Sequence, residues 1–315
     1  MPEALPTPIH ALRGLAVFAE SPSEEHTDIA DALGLTTVPT PAEYSDLFLF
    51  QLYPYASVYL GPEGMMGGLA RERIAGFWNA VGLTPPPEPD HLAALLGLYA
   101  SLTERASDTD PDQAAESALA GQAARALLDE HLAPWVFGWL NRMEELASGT
   151  YAAWAVLLRE LLSGELRRSP VADSGEVGSH ARAKARPDDD EAGAVLQHLR
   201  DAPPLPDPRT DGTSDFIAGL LAPVRCGMVL TRADLAGMAR MLDLGLRAGE
   251  RRYALEHLLA QDAGPTLKAL ALEARRQGDA HRQRVSWLGE SAMYMMRRTE
   301  IAATLCDELS MDGLS

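Results

Sequence analysis

Asp90-His91 and the histidine of Asp129-Glu130-His131-Leu132-Ala133-Pro134-Trp135 are the side chains in this sequence with the types that proton transfer uses. An acid beside an imidazole can fix its tautomer or share a proton with it. Asp90, however, opens a stretch with Leu92, Leu95, Leu96, Tyr99 and Leu102 at helical spacing, and an acid in a first helical turn is favoured by the helix dipole alone. His131 stands before Pro134, a residue suited to the first position of a helix whose buried face carries Trp135 and Trp139. Neither histidine belongs to a metal-ligand spacing. A hydrolytic or nucleotide-binding enzyme built on Asp90-His91 lacks a third triad member, and no GxSxG, HExxH, SxxK or GxGxxG is present. Gly61-Pro62-Glu63-Gly64-Met65-Met66-Gly67-Gly68 lacks the Gly-Lys-Ser/Thr ending of a phosphate cradle and reads as a mobile loop. Cys226 and Cys306 are far apart and read as small buried apolar residues. No enzyme activity, metal or cofactor is expected.

The richest stretch runs from Glu43 to Gly61: Tyr44, Leu47, Phe48, Phe50 and Tyr53 on a helix, a stop at Pro54, then Tyr55-Ala56-Ser57-Val58-Tyr59-Leu60. Apolar surface beside a backbone bend can hold a peptide. Aromatic residues at helical spacing equally fill a core, and the spacing alone does not separate the two.

The elements that carry these residues are legible from their punctuation. Ser21-Pro22-Ser23-Glu24, Thr40-Pro41-Ala42-Glu43 and Asp110-Pro111-Asp112-Gln113 each place a capping residue before a proline and an acid or amide third, a pattern that opens helices. Gly34 and Gly82 fit helix ends. Helices are predicted over 8–20, 22–33, 41–52, 69–81, 90–106, 111–131, 134–148 and 150–166. From Ser169 to Ser214 Pro, Gly, Ser and charge dominate, which predicts a flexible linker with a short helix over 188–200. Helical texture resumes at Asp215, with a capping box at Thr231-Arg232-Ala233-Asp234. The fold class is therefore all-α, divided into 1–168, a linker over 169–214 and a helical extension over 215–315.

Charge narrows the partners. The chain of 315 residues has a formal net charge of −18, which argues against nucleic acid as a partner. Residues 1–168 hold 9 Lys and Arg against 23 Asp and Glu, whereas residues 216–315 hold 13 against 12. An acidic first half is either a solvated surface or a face for a basic peptide. No run of about 18 apolar residues occurs, and the start, MPEALPTPIHALRG, is no export signal; a cytoplasmic protein without a membrane span is expected.

Three of these stretches, in order, resemble the TorD/DmsD/NarJ family of redox-enzyme maturation chaperones over about residues 5–166. Pro54-Tyr55-Ala56-Ser57-Val58-Tyr59 is similar to the family's Pro-x-x-Ser-x-Tyr region, Pro89-Asp90-His91-Leu92 to its Asp-His motif, and His131-Leu132-Ala133-Pro134-Trp135 to its His-Leu-x-x-Trp segment. The resemblance implies a helical chaperone domain that binds the basic twin-arginine leader, or the apo form, of a molybdopterin-dependent oxidoreductase precursor. Carried over, the peptide-facing candidates are Tyr44, Leu47, Phe48, Pro54, Tyr55, Ser57, Tyr59, Asp90, His91, His131 and Trp135, with Asp90 as the partner of a guanidinium. Tyr55-Ala56 stands where relatives often have Trp-Gly, and residues 169–315 extend past the usual family length. A helical adaptor that binds a mature protein surface is the other reading, and the oligomeric state stays open.

Overall fold

A computed structural model describes residues 7–168, 199, 201–247 and 249–312. Among these residues the regular structure is helix, with no strand. The first half is built from Pro8–Val17, Glu25–Leu33, Pro41–Tyr44, Ala56–Leu60, Gly68–Ala80, Leu92–Ala106, Ala114–Ala126, Ala133–Leu146 and Gly149–Arg168.

Two of the three expected starts form as written. At Thr40 the hydroxyl accepts the Glu43 amide at 3.2 Å and the Glu43 carboxylate accepts the Thr40 amide at 2.7 Å, a complete capping box. Asp110 accepts the Asp112 amide at 3.0 Å. The start at Ser21 does not: the helix begins at Glu25, because the buried His26 ring takes the Ser23 amide at 3.0 Å and holds that turn out of the helix. Gly34 ends the Glu25–Leu33 helix with φ 70°, the left-handed turn that glycine enters without a Cβ clash.

Two predicted helices continue in a wider winding. The 41–52 helix becomes a π-helical turn over Ser45–Gln51, and a second π-turn over Leu127–Leu132 joins Ala114–Ala126 to Ala133–Leu146. A proline lacks the N–H that α-helical winding requires of it; with the turn before Pro134 already widened, the chain passes through without the break expected at 132–133. The Ala56–Leu60 helix was not foreseen, since its five residues offer too short a pattern.

The first core gathers Phe48, Trp135, Trp139, Tyr151 and Trp154, all at most 2% exposed, with Leu12, Leu15 and Leu95. Phe48 sits 5.1 Å from Tyr151 and 6.0 Å from Trp154, between ring centres. Edge-to-face pairs of this kind add stabilisation of about 0.5–1.5 kcal/mol each beyond burial.

Of the segment expected as a linker, residues 169–198 and 200 lie outside the described residues, and with them most of the 188–200 helix; Leu199 is buried in the first core. Within 201–214, Ala202, Leu205, Pro206 and Pro208 are buried. Leu205 joins a second core with Phe216, Leu235, Leu255, Leu270 and Cys306, and the Arg225 guanidinium donates to the Pro204 carbonyl at 3.0 Å. The second half includes Thr213–Leu220, Arg232–Leu242, Arg251–Gln261 and a long pair, Ala263–Arg282 with Glu290–Asp312. Gly278 lets that pair close: a Cβ there would lie 2.6 Å from the Thr299 hydroxyl.

The halves meet along a polar and aromatic seam. Arg142, buried on Ala133–Leu146, pairs with Glu145 and with Asp234 of the second half, and Arg276 reaches Glu145 at 2.6 Å. Phe137 packs edge-on against Trp287 at 4.9 Å. Val224, Val229 and Met295 add to the first core. The glycine loop of 61–68 takes part as well. Gly64 has φ 63°, and its Cα passes so close to the second half that a Cβ would lie 2.5 Å from the Leu221 carbonyl oxygen.

Candidate functional site

The first and second of the resembling stretches are knitted to each other by backbone. Leu92 N–H donates to the Pro54 carbonyl at 2.8 Å, Ala56 N–H donates to the Asp90 carbonyl at 2.9 Å, and Tyr55 and His91 form an isolated antiparallel bridge. Pro54 cannot donate but can accept, which suits this one-sided role. The crossing places Tyr55 and His91 side by side, with ring centres 4.9 Å apart.

Asp90 is turned inward. It is 1% exposed, and its Oδ2 accepts the Ser57 amide at 3.1 Å, satisfying an orphan donor at the start of Ala56–Leu60. His91 caps the next element in the same way, its Nδ1 accepting the Ala93 amide at 3.2 Å at the head of Leu92–Ala106. Burial lowers the His91 pKa, opposed by Glu88, Glu20 and Asp90, and an accepting Nδ1 leaves the ring proton on Nε2. Acid and imidazole thus each serve a backbone amide.

Most of the other candidates are interior. Leu47, Phe48, Ser57, Tyr59, His131 and Trp135 are each at most 6% exposed, and Pro54 is buried. Tyr59 stacks on Trp135 at 5.1 Å and donates its hydroxyl to the Tyr53 carbonyl at 2.8 Å. Trp135 Nε1 donates to the His131 carbonyl at 2.7 Å, and the His131 ring lies edge-on to Phe77 at 5.0 Å. Burial, with Arg73 nearby, pushes the His131 pKa down to about 4. These residues shape the site from behind.

What remains at the surface is a groove of about 730 Å³ walled by Tyr44, Tyr55, Trp78 and Leu83, with His91 in its floor and Glu20 and Glu88 on its rim. Tyr44 leans on Phe48 at 5.1 Å. The opposite wall is held by the Gly68–Ala80 helix: Trp78 Nε1 donates to the Pro89 carbonyl at 3.2 Å, and Arg71 donates to that of Pro87 at 2.8 Å. Burial and then a hydrogen bond to the Glu88 carboxylate push the Tyr55 pKa up, and burial with both rim acids does the same for Tyr44. Both phenols stay neutral donors at physiological pH.

The structure therefore brings together Tyr44, Tyr55 and His91 of the expected residues and adds Glu20, Trp78, Leu83 and Glu88. Glu88 was within reach of the sequence, two residues before Asp90 in Pro87-Glu88-Pro89-Asp90. Nothing local marks Glu20 or Trp78. No group of three or more potential metal ligands occurs among the described residues, and no helix among them is long and apolar enough to cross a membrane. Aromatic walls, neutral phenols and two exposed carboxylates make a surface for an apolar segment that carries a cation.

No curated protein and no solved structure matches this sequence. The sequence model of the nitrate reductase delta subunit family matches residues 18–141. That span runs from Phe18, which packs on His26, through both groove walls to Trp135 and Trp139. The N-terminal region of this all-α chain thus carries the domain of the nitrate reductase delta subunit family, the NarJ/TorD-like molybdoenzyme maturation chaperones.

Proposed function

We propose that this protein is a cytoplasmic chaperone that binds the twin-arginine leader, the apo form, or both, of a molybdenum-cofactor oxidoreductase subunit and holds it for cofactor insertion and export. The supporting observation is the pairing, in one groove, of the Glu20 and Glu88 carboxylates with the Tyr44, Tyr55 and Trp78 rings. A guanidinium takes carboxylates through paired hydrogen bonds and lies flat on aromatic faces, and the apolar residues after an arginine pair match the rest of the walls. On this reading Glu88 meets the cation, while Asp90 holds the backbone that presents it.

Calorimetry of a twin-arginine leader peptide against the full chain tests this. Binding that weakens as salt screens exposed charge, and that weakens again when either arginine of the peptide becomes glutamine, is the expected result. A leader that fails to bind, or that binds Tyr55→Ala as tightly as the parent, overturns the assignment.

A further inference from the structure

A second exposed surface, with the opposite charge, lies where the halves meet. Arg232, the first residue of Arg232–Leu242, holds its guanidinium 5.5 Å from the centre of the Phe50 ring and donates to the Gly249 carbonyl. Arg251 sits 5.9 Å from the Tyr53 ring centre and donates to the Leu230 carbonyl at 2.7 Å. Arg247 covers Tyr253 at 5.3 Å. The Tyr253 ring reaches within 3.6 Å of where a Cβ on Gly249 would stand, and Arg232 donates to the Gly249 carbonyl, so the Arg247–Tyr253 and Arg232–Phe50 pairs join at Gly249. Phe50 is 48% and Tyr253 47% exposed.

Arg142, Arg252 and Arg276 each have a carboxylate partner. Among the described residues Arg232, Arg247 and Arg251 have none within 4.0 Å, in a chain whose formal net charge is −18. An arginine stacked on a ring keeps its fork of donors oriented. Arg232 and Arg251 also donate to backbone carbonyls, which fixes their guanidiniums beside the exposed Phe50 and Tyr253 rings.

We propose that this patch docks an acidic segment of a partner protein, a stretch of carboxylates interspersed with leucine or phenylalanine. Carboxylates match the guanidinium fork in pairs, and the apolar residues match the exposed rings. A nucleic acid fits less well: three arginines do not make the basic track its phosphates need. Phe50 and Tyr53 come from the first half, whereas the arginines and Tyr253 come from the second, with the Ala233 amide donating to Gln51 across the seam at 3.0 Å. The Arg232–Phe50 and Arg251–Tyr53 pairs exist only with the halves docked, and the second half thereby completes a second binding face, separate from the groove.

Fluorescence anisotropy with the full chain tests this, using a labelled synthetic peptide, Asp-Glu-Leu-Phe-Glu-Asp-Leu-Glu, its Asn/Gln counterpart and a single-stranded oligonucleotide. The acidic peptide is expected to bind, to weaken with added salt, and to lose about tenfold or more with Arg247→Glu, as a central charge contact does. Tyr253→Ala should weaken it by a similar factor at low and high salt, and melting curves should show that both variants stay folded. Arg247→Gln serves if the reversal disturbs the fold. A labelled leader peptide run in parallel reports on the groove and should bind Arg247→Glu like the parent. Equal binding of the neutral peptide, unchanged binding by the folded Arg247 variants, or preference for the oligonucleotide overturns the proposal.

Discussion

Glu88 faces the groove, while Asp90, two positions on, lies in the interior with its carboxylate on the Ser57 amide. Their amide variants should separate in what they change. Glu88→Gln should weaken leader binding by about 1 kcal/mol, the scale of an exposed charged hydrogen bond, and leave the melting temperature in place. Asp90→Asn removes a charge from a buried helix-capping contact, so it should cost about 1–2 kcal/mol of stability, read as a lower midpoint in denaturant. Loss of binding by Asp90→Asn without loss of stability would return Asp90 to the site. Two histidines predict a pH response. Burial holds both His131 and His281 at about 4 in the folded chain, below the ordinary value near 6.5. The unfolded chain then binds protons that the folded one refuses, so stability is complete above about pH 6.5 and falls as pH drops toward 4. The loss should reach roughly 3 kcal/mol per histidine as an upper figure. Denaturation midpoints between pH 7 and 4, compared with His281→Gln, measure it; a variant with the parent's slope refutes the assignment to His281.

At the scale of elements, the glycine loop shows how little its composition reveals. Read as mobile, residues 61–68 are tied at the middle and toward the end of the loop: Gly64 lies under the Leu221 carbonyl, and the Gly67 amide donates to the Ser57 hydroxyl at 3.0 Å. Gly64→Ala combines a left-handed backbone with a collision against main chain, so it should destabilise the protein by about 2–4 kcal/mol. The Gly67→Ala substitution, with φ 97° but open space around its Cβ, carries strain alone and should cost less. Equal midpoints for the two would show that the loop moves away from Leu221.

For the whole molecule, the question is how far each half stands alone. We propose that residues 1–168 form a unit with their own caps and most of one core, and that the second half then stabilises it through the seam. Without that half Arg142 loses Asp234, Phe137 loses Trp287, and the first core loses Val224, Val229 and Met295. A chain ending at residue 168 should remain helical by circular dichroism but melt well below the full chain. An unfolded fragment would mean that the second half completes the core. Arg142→Met in the full chain strands Asp234, less than 15% exposed, beside the gap, while Glu273 keeps Arg276 at 2.7 Å. A destabilisation of about 3–5 kcal/mol is expected, since breaking a buried pair leaves uncompensated charge.

The sequence by itself determined the helical class, the capping boxes at Thr40 and Thr231, the run of apolar stripes and the family of the first half. These rest on interactions within a few residues, where spacing and side-chain type suffice. It also named Tyr44, Tyr55 and His91, which the structure brings to one groove. Only the tertiary structure decided which carboxylate faces outward, because Glu88 and Asp90 share one short motif and differ by a backbone pairing with Pro54-Ala56, more than thirty positions away in the chain. The same holds for Trp78 in the groove wall and for the Phe50, Arg232 and Tyr253 patch. Their partners are set by how helices pack, a long-range outcome that no local pattern encodes.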